Sequence, residues 1–314
     1  MAQAVTVYRW DDPGAPQINS AKPSEIIDVL KKCLVDGYGS KLPLGWENIA
    51  EDSANQKVVF KNNVVAGGSG NEVQIHSYNA TDNSETLLRV NPCQHWVDWD
   101  TYTKKGFQKY IQLKSSWTNW FLIGTAKAFY FISGHPTATI AQYDSHNEYG
   151  LFLDDFESFY QNETLQMIAL SADSMNPEEL TGTSYFGYNY AFNCAFSVYN
   201  DRDTVESVKL FNLDGTENSR KYLARPTQRN RAKDVPNNSE CEHFAEVMIY
   251  SESFFNGAYR GKIPGILHAL VPFHTGSSGA WPLITNINGH DHLAVRSNNN
   301  NVKLYINMES WDAN

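Results

Sequence analysis

Two clusters of acidic side chains lie beside aromatic residues and are the first candidates for chemistry. They are Asp154-Asp155 with Glu157, and Asp98 with Asp100. Glycoside hydrolysis uses two carboxyl groups that flank the scissile bond, and the neighbouring Trp96 and Trp99 suit stacking on a sugar ring. Acids and aromatics are also common on β-sheet surfaces, and sequence spacing does not set the distance between two carboxyl groups. These residues are therefore candidates for a carbohydrate site, without an assigned catalytic role.

The motif His290-Asp291-His292 has the residue types of a metal site. On a β-strand its two imidazoles would share one face, and imidazoles ligate zinc. A structural zinc site needs three or four ligands, however, and no spacing in the sequence supplies the others. Gly289, just before the motif, is typical of a turn that enters a strand. We therefore expect His290 and His292 to bind no metal.

Cys241-Glu242-His243 contains the residue types of thiol catalysis. Adjacent residues on a strand point to opposite faces, and catalytic partners usually come from distant parts of a sequence. The chain also has no phosphate-binding P-loop and no dinucleotide fingerprint. We therefore predict no enzymatic activity, no cofactor, and no catalytic, cofactor-binding or metal-ligating residue.

One amphipathic helix is predicted over residues 24–35. Ser24 can cap its first free N–H groups, and Ile26, Leu30 and Leu34 recur at the spacing of one helical face. Gly37 or Gly39 can end it in a left-handed conformation. A single apolar face indicates that the helix packs against a sheet.

Most of the remaining chain is predicted to form short strands that are separated by turns. The segments 58–60 and 73–75 flank a glycine-rich turn at 67–70, and 120–124 and 127–132 form a second pair. Residues 302–307 alternate between apolar and polar types, as a half-buried antiparallel strand does. The predicted fold class is mainly β, with antiparallel sandwich or barrel-like modules and one well-defined N-terminal amphipathic helix.

The length of 314 residues suits two domains. We place an N-terminal β domain at 1–150, which contains the helix, and a C-terminal β domain at 151–314. The boundary follows the polar stretch at 144–150. A polar excursion from about 171 to 240, with Pro177, Pro226 and Pro236, interrupts the second domain.

The net charge of −10 argues against nucleic acid or an anionic membrane as a partner. Basic residues concentrate only at 220–233, where Asn, Gln and Pro interrupt them. No apolar run approaches the length of about 18 residues that a membrane span needs. Aromatic residues make up 13% of the chain, which is enough for extensive contact surfaces.

Four cysteines are present, at Cys33, Cys93, Cys194 and Cys241, and no two have Cys-x-x-Cys spacing. The first residues lack the basic and apolar regions of a secretory signal peptide. We therefore expect folding in a reducing cytoplasm, with all four thiols free.

Several segments resemble a family of tailed-phage virion structural proteins. They are residues 7–17, 23–27, 30–39 and 45–46 near the N-terminus, and more weakly 120–131, 152–159 and 261–266. The resemblance covers segments along the whole chain except 171–240, and it assigns no catalytic or ligand residue. It implies a component of a phage particle that is assembled in the host cytoplasm and located near the tail or its tip.

The resulting expectation is a non-enzymatic structural protein of a tailed-phage virion, from the tail, tail tip or baseplate. We expect it to assemble as a symmetric homo-oligomer with other virion proteins as partners. The alternatives are a capsid decoration protein, an adhesin module that binds host-surface glycan, and, less favoured, a glycan-cleaving enzyme.

Overall fold

The structure is a computed structural model that describes residues 2–136, 148–161, 163–171, 206–218, 222–226, 244–251, 259–269, 274–275, 281–297 and 301–312. The strands of its first half are β1 (Ala2–Ala4), β2 (Thr6–Arg9), β3 (Glu47–Asp52), β4 (Lys57–Lys61), β5 (Glu72–Ser77), β6 (Leu88–Asp98), β7 (Thr101–Lys105), β8 (Lys109–Ile111), β9 (Asn119–Gly124), β10 (Ala128–Gly134) and β11 (Glu148–Asp155). Those that follow are β12 (Glu157–Ser158), β13 (Met167–Ser171), β14 (Glu206–Val208), β15 (Tyr222–Pro226), β16 (Phe244–Ser251), β17 (Tyr259–Ala269), β18 (His274–Thr275), β19 (Leu283–Ile287), β20 (His290–Ser297), β21 (Asn301–Asn307) and β22 (Ser310–Asp312).

A five-stranded antiparallel sheet, in the order β13-β11-β10-β9-β2, forms the middle layer of the fold. Both of its faces are buried, so its strands read as continuous apolar runs. Trp120, Leu122 and Phe131 belong to one hydrophobic core, whereas Phe121 and Ile132 belong to another. The alternation of side chains along each strand therefore assigns neighbouring residues to different cores.

A six-stranded sheet lies across the first core and a nine-stranded sheet across the second. The six-stranded sheet has the order β3-β4-β5-β6-β7, with β8 also paired to β6. The nine-stranded sheet has the order β14-β15-β16-β17-β21-β20-β19, with β12 paired to β17 and β18 to β21. Strands β1 and β22 form a separate antiparallel pair. The fold is thus a layered antiparallel β structure, and no closed barrel occurs among the described residues.

The helix α1 (Pro23–Lys31) continues into a π-helical turn (Lys32–Asp36) and ends at Gly37, whose φ is +76°. Ile26, Leu30 and Leu34 are fully buried in the core beneath the six-stranded sheet. The predicted helix is therefore confirmed, but its predicted cap is wrong.

The N-cap is Lys22, and Ser24 lies inside the helix. The Ser24 backbone N–H and hydroxyl donate to Asp82, at 2.9 and 2.7 Å. The backbone N–H groups of Ser20 and Lys22 donate to the Glu25 carboxylate, at 2.9 and 3.1 Å. Carboxylates therefore satisfy backbone N–H groups around the helix N-terminus, and the Ser24 hydroxyl acts as a donor.

The predicted strand pairs around 67–70 and 124–127 are present as β4 with β5 and β9 with β10. Strand β11 crosses the predicted domain boundary near residue 150 and pairs with β10 on one side and β13 on the other. The central sheet thus takes strands from both sides of that position, and the two-domain division stays a prediction. Within the predicted polar excursion, β14 and β15 extend the nine-stranded sheet.

Candidate functional site

The outer face of the six-stranded sheet carries a group of polar side chains, here called the polar face: Lys57, Gln74, His76, Arg89 and Asn91. Strand register brings them together, because Gln74 lies opposite Asn91, and His76 lies opposite both Arg89 and Lys57. The residues between them, such as Val73, Ile75 and Val90, are buried in the core on the other face. Alternation along β5 and β6 therefore gives this sheet one apolar and one polar side.

Two buried amides form the centre of the polar face. Gln74 and Asn91 are each 1% exposed. Gln74 Nε2 donates to the backbone carbonyl of Trp99, at 3.3 Å. Asn91 Nδ2 lies 3.3 Å from His76 Nε2, and His76 Nδ1 lies 3.2 Å from the Ser77 carbonyl oxygen. The amide nitrogens are thus used within the protein, whereas Gln74 Oε1 and Asn91 Oδ1 are buried without a hydrogen-bond partner.

Three cations at this face lie over aromatic rings. The Lys57 ammonium is 5.3 Å from the Trp99 ring centroid, the Arg89 guanidinium is 4.4 Å from that of Tyr78, and the Lys105 ammonium is 4.9 Å from that of Tyr102. None of the three has an ion-pair partner among the described carboxylates. The positive charge here is therefore held by ring faces, which attract cations more weakly than a carboxylate does.

Burial and positive charge set the protonation of the polar face. Burial, with the nearby Arg89 charge, lowers the pKa of His76 to about 4. The same two causes lower the pKa of Lys105, and burial raises the pKa of the Cys93 thiol to about 12. His76 is therefore neutral at pH 7, which allows Nδ1 to donate to the Ser77 carbonyl and Nε2 to accept from Asn91.

The predicted tryptophan pair lies at the turn that joins β6 to β7, here called the hairpin tip (residues 96–101). The Trp96 and Trp99 rings meet edge to face, with centroids 5.2 Å apart. The Trp96 backbone N–H donates to the buried Glu72 carboxylate, and Trp96 Nε1 is buried without a partner. The hairpin tip folds back over the polar face, because the Trp99 carbonyl contacts Gln74.

The acids of the hairpin tip shape the turn. The Asp98 carboxylate accepts from the Asp100 backbone N–H at 3.0 Å. This bond and further hydrogen bonds from Thr101 lower the pKa of Asp98. Asp98 thus serves as a hydrogen-bond acceptor within its own turn, and the carbohydrate role of these acids stays a prediction.

Asp155, from the other predicted acidic cluster, joins a network here called the Asp155 node: Asp155, Asn62 and Ser69. Its buried carboxylate accepts from Asn62 Nδ2 at 2.8 Å and from the Ser69 backbone N–H and hydroxyl, both at 2.6 Å. Asn62 Oδ1 in turn accepts from the Gly70 N–H at 2.7 Å. The node fixes the glycine-rich turn 67–70 to the C-terminal end of strand β11 in the central sheet.

The acids of this cluster are already engaged by other groups. Asp155 and Glu157 line one cleft of about 200 Å³, but Glu157 also lies 3.4 Å from the Lys262 ammonium. The Asp154 side chain lies outside the described residues. An acid catalyst needs a carboxyl group that can exchange a proton with substrate, and Asp155 instead receives three short hydrogen bonds from its own chain.

The two histidines of the predicted metal-like motif have different environments. His290 is exposed, and its Nδ1 lies 2.9 Å from the Glu309 carboxylate. His292 is buried, and its Nδ1 lies 2.9 Å from the His290 carbonyl oxygen. Both line a cleft of about 190 Å³ beside Trp311. Within the described ranges, no group of three or more His, Cys, Asp or Glu side chains is arranged to hold a metal ion.

The described cysteines, Cys33 and Cys93, are buried free thiols. Cys194 and the motif Cys241-Glu242-His243 lie outside the described residues, so their predicted state stays a prediction. In the part of the chain that the structure describes, no helix has both the length and the apolar character that crossing a bilayer requires.

A group of exposed or half-buried rings on the nine-stranded sheet and the adjoining turn is here called the aromatic patch: Phe159, Tyr160, Tyr250 and Tyr259. The Phe159 N–H donates to the Arg260 carbonyl at 2.9 Å, and the Arg260 guanidinium lies 5.5 Å from the Tyr160 ring centroid. The Tyr250 and Tyr259 ring centroids are 6.1 Å apart. Phe159 and Tyr259 are 54% and 51% exposed.

A buried ion pair between Arg260 and Glu163 lies next to the aromatic patch. Arg260 Nε lies 2.7 Å from the Glu163 carboxylate, and both side chains are almost completely buried. A second guanidinium nitrogen donates to the Phe211 carbonyl at 3.0 Å. The exposed rings are therefore attached to backbone that is held firmly in place.

Comparisons with known proteins add no assignment: no family model matches the chain, and no curated protein is significantly similar to it.

Sequence reasoning located Trp96 and Trp99 but missed the polar face. A signal was present in Glu72-Val73-Gln74-Ile75-His76, where long polar residues alternate with β-branched ones. Such a pattern predicts one buried and one open face. The burial of Gln74 and Asn91 on the polar side depends on the fold of the hairpin tip, which the pattern does not encode.

Proposed function

We propose that this protein is a non-enzymatic structural component of a tailed-phage particle, from the tail or its tip, and that it assembles as a symmetric homo-oligomer. The observation that carries the assembly is the aromatic patch. Exposed Tyr and Phe rings on rigid backbone are typical of the centres of protein interfaces. The resemblance of residues 7–17, 23–27 and 30–39 to virion proteins supports the phage particle as the place of assembly.

The expected occupant of the aromatic patch is a second copy of the chain. Closed symmetry is the usual arrangement of identical subunits, because it satisfies every copy of a contact surface. Apolar burial contributes roughly 25 cal/mol per Å² before the costs of association. Added salt should therefore leave the contact intact, unlike one made of surface ion pairs.

Purified particles of the encoding phage provide the test. We expect mass spectrometry to find the chain in washed virions, and density for the particle to show symmetric copies in contact through Phe159 and Tyr259. Absence from virions, or a single unpaired copy, would overturn the proposal.

A pair of double variants tests the contact itself. Phe159→Ser with Tyr259→Ser should lower incorporation into particles by about tenfold or more, since the centre of an interface carries most of its binding energy. Leu42→Ser with Val65→Ser is the matched control, because these two side chains are also highly exposed and lie outside the aromatic patch. Equal incorporation of the two double variants would contradict the assigned surface.

The host-glycan adhesin stays the second candidate function. It is favoured by the polar face, where aromatic rings lie beside buried amide oxygens that lack partners.

A further inference from the structure

We propose that the polar face and the hairpin tip together bind an acidic saccharide, a sugar that carries a carboxylate group. The inference rests on the adhesin alternative and names its ligand class. It is independent of the position that the chain occupies in a particle.

The unpartnered atoms of the site match the chemistry of sugar hydroxyls. Gln74 Oε1 and Asn91 Oδ1 are acceptors, and Arg89 Nε and Trp96 Nε1 are donors; all four are buried without a partner. A buried polar atom that lacks a hydrogen bond costs about 1–3 kcal/mol, so four such atoms in the polar face and the hairpin tip favour a ligand that satisfies them. A hydroxyl group both donates and accepts, whereas a simple anion offers only acceptors and would leave the two amide oxygens unsatisfied.

The rings of the site suit the apolar side of a sugar. Trp99 and Tyr102 are half-buried, and each contacts a lysine. Tyr102 lies opposite Trp96 across the hairpin, and the Trp96 ring meets that of Trp99. Indole and phenol rings present flat apolar surfaces with a polar edge, which pack against the C–H groups of a pyranose ring. These rings lie beside the amides, so that one ligand can contact both.

The charges of the site select an acidic sugar. Lys57, Arg89 and Lys105 have no ion-pair partner among the described residues, in a chain whose net charge is −10. Glu72 lies in the same cross-strand row as Cys93 and Lys105, where its carboxylate lies 3.2 Å from His95 and accepts from the Trp96 N–H. Asp98 and Asp100 lie at the exposed end of the hairpin tip. An anionic group placed among the three cations would gain charge-assisted hydrogen bonds, which are about twice as strong as neutral ones.

The hairpin tip covers the amides in the structure. Its contacts with the polar face include the hydrogen bond from Gln74 to the Trp99 carbonyl, whose 3.3 Å length exceeds the usual range, and the Lys57–Trp99 contact. A saccharide that reaches Gln74 and Asn91 replaces these contacts. Binding should therefore move Trp99 and change its fluorescence.

Titration of the full-length chain with uronate tetrasaccharides, followed by tryptophan fluorescence, tests the proposal. The panel contains galacturonate, glucuronate and mannuronate oligomers, with cellotetraose as the neutral control and sodium sulfate as the plain anion. We expect saturable binding of at least one uronate with a Kd below about 1 mM, and binding of cellotetraose and sulfate that is weaker by about tenfold or more. Saturation by none of the uronates, equal binding of cellotetraose, or equal binding of sulfate would each overturn the inference.

Variants locate the site. Arg89→Gln should weaken uronate binding by about tenfold or more, since it removes one charge and one donor. Arg9→Gln is the matched control, because Arg9 also lies over a tryptophan ring but on a different sheet, and it should bind as wild type does. If both variants bind equally, the ligand lies elsewhere; if Arg89→Gln does not fold, the wild-type comparison of acidic and neutral sugars still decides. Uronate binding by a chain that is missing from virions would overturn the particle proposal alone.

Discussion

The Asp155 node and the polar face are both groups of polar side chains buried on β-sheets, but they differ in how their hydrogen bonds are completed. At the node, Asp155 receives three short hydrogen bonds from Asn62 and Ser69. At the polar face, Gln74 and Asn91 use their nitrogens and leave their oxygens without partners. A completed network stabilises the fold, whereas an incomplete one is destabilising by itself, and we propose that a ligand completes it. The sequence does not distinguish the two groups, because both consist of polar residues of ordinary types.

The largest effect that we expect is a loss of folding stability when the Asp155 node is disrupted. Asp155→Ala should lower the free energy of unfolding by about 3–5 kcal/mol, because it removes three hydrogen bonds that a buried carboxylate accepts from Asn62 and Ser69. Urea denaturation followed by tryptophan fluorescence measures the change. Asp98→Ala is the control for loss of a turn-forming carboxylate at an exposed position, and it should cost less than about 1 kcal/mol. A similar loss in both variants would mean that the node is not a special source of stability.

A second prediction concerns the pH dependence of the polar face. The pKa of His76 is lowered to about 4 in the folded protein, against about 6.5 in the unfolded chain. As the pH falls below 6.5, the unfolded chain takes up a proton that the folded protein does not, so stability is lost between pH 6.5 and 4 and is fully present above pH 6.5. His76 is partly exposed, and solvent screening reduces the loss to roughly 1–2 kcal/mol.

Urea midpoints for wild type and His76→Gln, measured from pH 7.5 to 4, test this prediction. Subtracting the two curves removes the contribution of the carboxylates, which titrate in both proteins. The difference should favour wild type progressively less as the pH falls. If the stability difference between wild type and His76→Gln did not change across this interval, protonation of His76 would not destabilise the folded protein. The polar face would then be more accessible to solvent than its burial indicates.

Local features of the fold were predictable from the sequence, and long-range ones were not. The spacing of Ile26, Leu30 and Leu34 predicted the helix and its buried face correctly, since that pattern follows from helix geometry alone. Its cap was predicted wrongly, because the carboxylate that bonds Ser24 comes from Asp82, 58 residues away. The end of the helix also depends on distant chain: the carbonyls of Cys33 and Leu34 accept from the N–H groups of Leu44 and Trp46, both at 2.9 Å.

The same limit applies to the candidate site. Trp96 and Trp99 stood out by residue type, so they were found. The pairing of Gln74 with Asn91 requires the register of β5 on β6, and the role of Asp155 requires contact with Ser69, 86 residues away. Residue types therefore pointed to tryptophans and acids as candidates. Only the three-dimensional arrangement separated Asp155, which stabilises the fold, from the amides whose oxygens lack hydrogen-bond partners.

The smallest change in stability is expected for a variant of Gln74, and it tests most directly whether the polar face differs from the Asp155 node. Gln74→Leu removes one long hydrogen bond and also an unpartnered buried oxygen, so the two changes should nearly cancel, and the free energy of unfolding should change by less than about 1 kcal/mol. Asn62→Leu is the matched amide variant at the node, where it removes the 2.8 Å bond to Asp155, and it should cost about 2–3 kcal/mol. Urea denaturation of the two variants under one condition makes the comparison direct. If Gln74→Leu cost as much as Asn62→Leu, the amide of Gln74 would be part of a completed network, and the polar face would be a second structural node with no unsatisfied oxygen to offer a ligand.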